Sequence, residues 1–190
     1  LFSFGVCCDF DSSDFNLSNQ GVLLLSNHQS MYDQFIIGAY WRGHIAGLYD
    51  EKYMRRFLVG YVLRKTGGVA ISRSDHASAL RTMNNLRNIF QSGVTVAMMP
   101  EGTRSYDGKL LPFKSGAFHL AKQTGVKIVA VVMDKAYQAK TKGNWRLYPK
   151  RVKVRHAVTV TQDEYQDWTV EQLRDYVRDK MQARLDSLNA

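Results

Sequence analysis

Short apolar runs that stop at polar turns, each followed by a segment of helical period, restrict this chain more than any other feature. Residues 22–25 stop at Ser26-Asn27-His28, residues 94–99 at Pro100-Glu101-Gly102-Thr103-Arg104, and residues 128–133 at Asp134. Runs this short match strands buried on both faces rather than helices. Residues 30–41 then repeat at helical intervals. Asp50 and Glu51 open a second helical segment with Met54, Phe57, Leu58, Tyr61 and Val62 as its inward stripe and Gly67 at its end. A short strand is expected at residues 69–72. Asp75 caps a helix with Leu80, Met83, Leu86 and Phe90 inward and Gly93 at its close, and a further helix runs over 115–124 to Gly125. Val152, Val154, Val158 and Val160 alternate with polar residues as a later, more exposed strand. A capping box, Thr169 to Gln172, opens a terminal helix through Leu188. Strands alternating with helices predict an α/β fold, a mostly parallel central sheet with helices on both faces. Ligands of such sheets bind at the carboxyl ends of strands, so the turns after Leu25 and Met99 are where chemistry is expected.

A chain of 190 residues buries about 70% of its unfolded surface and needs no disulfide or metal to hold a core. Its two cysteines, Cys7 and Cys8, are adjacent, which excludes a disulfide framework. No apolar run approaches the roughly 18 residues of a membrane span. The sequence opens on Leu1 rather than Met and is mildly apolar to Cys8. The expectation is one domain over 1–190 from which an upstream membrane-anchoring segment has been lost.

The net charge of +9 is unevenly placed: residues 1–100 carry +2, 101–160 carry +10 and 161–190 carry −3. No acid interrupts the basic residues from Lys135 to Arg155. Such a block attracts phosphates of nucleic acid, of an anionic bilayer or of a small substrate, and it also serves simply as a solvated face. No nucleic-acid motif accompanies it, and Val152 and Val154 interleave with Lys153 and Arg155 as in a half-exposed strand. The stretch is therefore read as an approach surface for an anionic membrane or another acidic partner, not for nucleic acid.

His28 and Asp33 are five residues apart, about 140° out of phase on a regular helix, so His28 must precede the helix for the two to meet. Placed in the turn, it can be held by Asp33 through one ring nitrogen while the other accepts a proton from an attacking hydroxyl. Alone, the pair is more simply a histidine capping its own helix, since His and Asp at this spacing recur by chance. The second turn offers Gly102, the backbone amides around Thr103, and the guanidinium of Arg104, a set suited to an anion. Arg73 and Lys114 add cations at the same sheet edge, though each is singly also a plain surface charge. Glu101 beside phosphate ligands would repel the substrate, so it is read as orienting Arg104 or backbone donors. His44, His76, His119 and His156 do not group as ligands. Met98 and Met99 are read as core.

Three blocks, Asn27-His28-Gln29-Ser30-Met31-Tyr32-Asp33, Gly67-Gly68-Val69-Ala70-Ile71-Ser72-Arg73 and Pro100-Glu101-Gly102-Thr103-Arg104-Ser105, resemble in order and spacing those of glycerophospholipid acyltransferases. Leu111-Pro112-Phe113-Lys114-Ser115-Gly116-Ala117-Phe118 extends the likeness, which covers about residues 20–135. The chain looks like a member of the lysophosphatidic acid acyltransferase family. The resemblance implies that His28 is the general base, Asp33 its orienting partner, and Arg73 and Arg104 the ligands of the acceptor's phosphate, in a pocket shaped by Glu101 and Gly102. A lysophospholipid hydroxyl, most simply that of 1-acyl-glycerol-3-phosphate, would attack the thioester of acyl-CoA or acyl-carrier protein directly. It implies no metal or redox cofactor, and an enzyme associated with the membrane at its cytoplasmic face. Two departures stand out: the family usually has prolines where Lys127 and Ala130 stand, and a large apolar residue is common where Ala70 lies. The alternatives are another lysolipid acceptor, a serine hydrolase, or a non-enzymatic basic module for anionic lipid. The hydrolase lacks a Gly-x-Ser-x-Gly elbow, although Ser30 lies near His28.

Overall fold

The structure, a computed structural model, describes residues 6–11, 21–65, 67–71, 76–139 and 148–189. Arg73, Asp75, Ser72 and residues 140–147 of the basic stretch lie outside the described residues. So do the side chains of Val62, Ala70, Leu80 and Met83.

The described strands are β1 (Val6–Phe10), β2 (Leu23–Ser26), β3 (Ile45–Asp50), β4 (Val69–Ile71), β5 (Thr95–Met98), β6 (Ile128–Asp134) and β7 (Lys150–Val160). They form one sheet in the order β1-β7-β6-β2-β5-β3-β4. Every neighbouring pair is parallel except β6 and β7. β2 and β6 are apolar throughout their centres because both sheet faces there are covered.

Alternate residues of these strands feed two cores. Leu23, Leu25, Val96, Ile128, Ala130 and Val132 face α4 (His76–Gln91), α5 (Gly116–Thr124), the short α7 (Gln162–Tyr165) and α8 (Val170–Asn189). On the other face Leu24, Val129, Val131 and Met133 pack with Ile36, Ile37 and Tyr40 of α1 (Asp33–Tyr40) and with Ala136 and Ala139 of α6 (Ala136–Ala139). The capping box of α8 forms as expected: Thr169 N donates to Gln172 Oε1 at 2.7 Å, and Gln172 N to Thr169 Oγ1 at 3.1 Å. Gly125 ends α5 in a left-handed conformation at φ 70°.

Four expectations need correction. β3 was not anticipated, and its last residue, Asp50, had been placed at a helix start; Ala46 and Gly47 weaken the strand signal, and the segment is extended because β4 and β5 flank it. β1 escaped notice as an edge strand beside β7. The inward stripe of the second helical segment does not exist as read. That segment is two helices, α2 (Glu51–Met54) and α3 (Phe57–Lys65), in which Met54 is buried but Phe57, Leu58 and Tyr61 are 88%, 74% and 59% exposed. Finally, β7 is more exposed than β6, as expected, and Val152, Val154 and Val160 are buried, but its valines do not all lie on one face. The register shifts between Ala130 and Val131, where β7 passes from Val158 to His156, so the apparent single alternation serves both cores. Arg155 is also drawn inward, its guanidinium 3.1 Å from the carboxylate of Asp9.

Candidate active site

β2 and β5 are adjacent and parallel, so the turns that follow them emerge side by side. β2 gives way to Asn27, whose side-chain amide continues the pairing with β6 by donating to Met133 O at 2.8 Å and accepting from Met133 N at 2.7 Å. Gln29 performs a similar task, donating to Gly108 O at 3.0 Å and accepting from Ala136 N at 2.9 Å. These two buried amides leave the backbone between them little freedom, and His28 sits there. Sequence reasoning passed over both, although they stand inside the block that carries the resemblance.

α1 begins at Asp33, three residues later than its period suggests, because the preceding residues are committed to this turn. Asp33 is fully buried, and its Oδ2 accepts from Gln29 N at 2.6 Å and Ser30 N at 2.8 Å. The same oxygen lies 2.8 Å from His28 Nδ1. With Oδ2 accepting from every side, the matching tautomer carries its proton on Nδ1 and presents a bare Nε2. The His28 side chain is 22% exposed, enough to meet a ligand.

The turn after β5 is sewn to the same residue. Glu101 is buried, and its two oxygens accept from His28 N at 2.8 Å and from Leu111 N at 3.0 Å. Ser105 N donates to His28 O at 2.8 Å. Glu101 therefore orders backbone donors. Burial pushes its carboxyl up to about 7, against the two backbone N–H groups and His28, which favour the anion. Gly102 has φ 67°, the region glycine tolerates, and a Cβ there would meet Lys114 Nζ at 2.8 Å. The Lys114 ammonium thus lies over the turn, and Lys114 N is anchored to Pro100 O at 2.8 Å. Arg104 is half-buried between Thr103, which is exposed, and the bonded Ser105. The structure so brings together His28, Asp33, Glu101, Gly102 and Lys114, with Thr103 and Arg104 next along the same turn. Ser30 is buried, with Oγ accepting from Tyr32 N at 3.3 Å, a local turn bond rather than the presentation of a nucleophile.

A groove of about 380 Å³ runs beside this centre between α1, β3 and the end of β5, lined among others by Phe35, Ile37, Gly38, Leu48, Tyr49 and Met99. Met98 packs in the core as expected, whereas Met99 lines the groove. Two glycines shape its wall, one leaving space open and the other admitting a ring. At Gly38 a Cβ would meet nothing within 4 Å, and at Gly47 it would collide with the Tyr49 ring, which fills the position a side chain would take. Tyr49 Oη donates to Gln34 Oε1 at 2.8 Å at the groove wall. The groove left no trace in the periodicity because missing side chains form it.

The acyltransferase family model matches residues 11–134. The 1-acyl-sn-glycerol-3-phosphate acyltransferase of Limnanthes alba is 31% identical over 181 residues, covering 94% of this chain and 62% of that protein. The enzyme of that name from Haemophilus influenzae is 28% identical, covering 88% and 70%. The crystal structure of the 1-acyl-sn-glycerophosphate (LPA) acyltransferase PlsC from Thermotoga maritima matches with a TM-score of 0.81 at 26% identity, over 99% of this chain and 78% of that one. The chain spans 62% and 55% of the lengths of its two Limnanthes relatives.

Proposed function

The chain belongs to the acyltransferase family, and from that premise we propose that it acylates the free hydroxyl of 1-acyl-glycerol-3-phosphate, using acyl-CoA or acyl-carrier protein and giving phosphatidic acid. The observation that carries the reading is the His28–Asp33 contact at 2.8 Å, beside a groove with apolar lining and a turn under the Lys114 ammonium. Nε2 of His28 takes the hydroxyl proton as the oxygen attacks the thioester carbonyl. The tetrahedral adduct then collapses, the carbon–sulfur bond breaks, and the imidazolium returns the proton to the departing thiolate. An ester and a thiol leave without an acyl-enzyme, and Asp33 holds the imidazolium that forms in between. Arg104 and Lys114 face the acceptor's phosphate, with Arg73 as a third cation. The donor's acyl chain lies in the groove between α1 and β3. Anionic lipid at a membrane surface is the setting from which the acceptor comes. Among the described residues no helix is long and apolar enough to cross a membrane.

The test is thiol release from acyl-CoA against lysolipids with and without the phosphate headgroup. Turnover that requires the phosphomonoester supports the reading, and equal turnover on uncharged acceptors sinks it. Arg104→Lys should raise KM for the phosphate acceptor at least severalfold despite equal charge, because the planar fork is lost.

A further inference from the structure

The α2–α3 segment is the part of the described molecule with most to bury and nothing inside to bury it against. Phe57 is 88% exposed, Leu58 74%, Tyr61 59% and Tyr53 44%. On α3 the first three fall within about 100° of one another, and Arg64 and Lys65 fall on the same side of the helix. Residues 51–65 hold five basic side chains (Lys52, Arg55, Arg56, Arg64 and Lys65) against one acid, Glu51, which Arg55 already pairs at 2.8 Å. Cations sit beside rings: Lys52 Nζ is 5.1 Å from the Tyr53 ring centre, and Lys65 Nζ 5.8 Å from that of Tyr61. An apolar and aromatic ridge edged by cations, on a helix face that no other described element covers, has the make-up of an element lying in a bilayer interface.

Position adds to composition. β3 ends at Asp50, immediately after groove residues Leu48 and Tyr49, and α2 starts at Glu51. Phe35, which also lines the groove, is itself 58% exposed.

We propose that α2–α3 is the face by which the protein lies on an anionic lipid bilayer. Phe57, Leu58 and Tyr61 enter the acyl boundary, and the cations that flank them meet headgroup phosphates. Charge chooses this occupant: the ridge carries a surplus of four positive charges, which an anionic surface matches. The inference deepens the acyl-transfer reading by naming its membrane contact, and it rests on that reading only for the groove's use. The contact lies on a stretch away from Lys135 to Arg155, where the linear charge count had placed it.

Flotation of the whole chain with vesicles tests it, using phosphatidylcholine alone and phosphatidylcholine mixed with phosphatidylglycerol. Binding should need the anionic lipid and weaken as salt shortens the screening length. Phe57→Ser with Leu58→Ser should cut the partition coefficient about tenfold or more. Arg55→Gln with Arg56→Gln should reduce binding to the anionic vesicles alone. Because the altered side chains are exposed, thermal melting and thiol release with short-chain, water-soluble donor and acceptor should match wild type. Vesicle binding by the serine double variant equal to wild type would overturn the proposal. So would a wild-type dimer that the serine variant dissolves while neither protein binds vesicles. Loss of vesicle binding in the variant, with no thiol release from either protein, supports the docking face and refutes the acyl-transfer reading instead.

Discussion

Between Asn27 and Asp33 the polar side chains spend their hydrogen bonds inside the molecule, whereas between Tyr53 and Tyr61 apolar rings stand in water. Asn27, Gln29, Ser30 and Asp33 are each 2% exposed or less, yet each bonds a backbone group close by or across the sheet. Phe57 and Leu58 are the reverse, apolar and uncovered. Burying a polar group costs free energy unless its partners are supplied, so the first region repays its burial only as a preformed bracket around His28. Leaving a ridge of large apolar side chains in water is also unfavourable, and it persists in the second region because an external surface can cover it. One region holds geometry for chemistry and the other keeps area for contact. Damage to each should therefore show in different measurements.

The widest separation is expected in turnover. His28→Ala should lower kcat on water-soluble substrates by about 10² to 10⁴, the usual worth of a positioned base, with the melting curve largely kept. Phe57→Ser should leave the same assay near wild type. Comparable losses in both would mean that α3 belongs to the catalytic bracket. Stability should separate the regions the other way round. Ile36→Ala, in the core behind the His28 turn and 1% exposed, should cost about 2–5 kcal/mol by leaving a cavity. Leu58→Ser should fall within about 0.5 kcal/mol, as surface changes do. Denaturant midpoints for the two variants check this.

These two regions also differ in how far the sequence discloses them. The His28–Asp33 contact was readable because a five-residue spacing fails on a helix and so demands a turn if the two are to meet, and the three blocks of the resemblance chose that reading over a helix cap. β2, β5 and β6 were readable for a similar reason, since runs of buried residues carry their own signature. α3 shows the converse. Its period truthfully marks a face, but period cannot say whether the sheet or something outside the chain covers it. β3 was hidden because strand neighbours rather than its own Ala46 and Gly47 hold it extended, and the bulge in β7 reverses facing without disturbing the valine alternation. Asn27 and Gln29 looked like mere turn residues, since their partners Met133, Gly108 and Ala136 are distant in sequence.

Glu101 offers a sharper probe of the bracket. Its carboxyl titrates at about 7 instead of the ordinary 4.5, so the folded state binds a proton that the unfolded chain has released over that interval. By linkage, the stability it contributes is full below about 4.5 and is lost as pH rises to about 7, up to about 3 kcal/mol. Glu101→Gln should flatten that part of the melting temperature's pH dependence. It should also lower kcat more than it raises KM, since the amide presents a donor to one of the two N–H groups that position His28. An unchanged pH slope in the variant would remove Glu101 from the account of the bracket.

The smallest expected effect lies at Gly38, where the bracket's own helix borders the groove. A Cβ there meets nothing, so a leucine can extend into the space without displacing backbone. Within α1 the exchange favours the folded chain, because glycine is about 0.8–1.0 kcal/mol worse than alanine in a helix and leucine is close to alanine. The same side chain occupies room that a long acyl chain would use, and each excluded methylene forfeits about 0.8 kcal/mol of burial. Gly38→Leu should therefore raise the melting temperature slightly while shifting preference toward shorter acyl donors, by about fourfold for each methylene shut out. The two readouts move in opposite directions, which general damage to the fold cannot reproduce. A variant that melts higher and keeps the wild-type chain-length profile would place the acyl chain somewhere other than this groove.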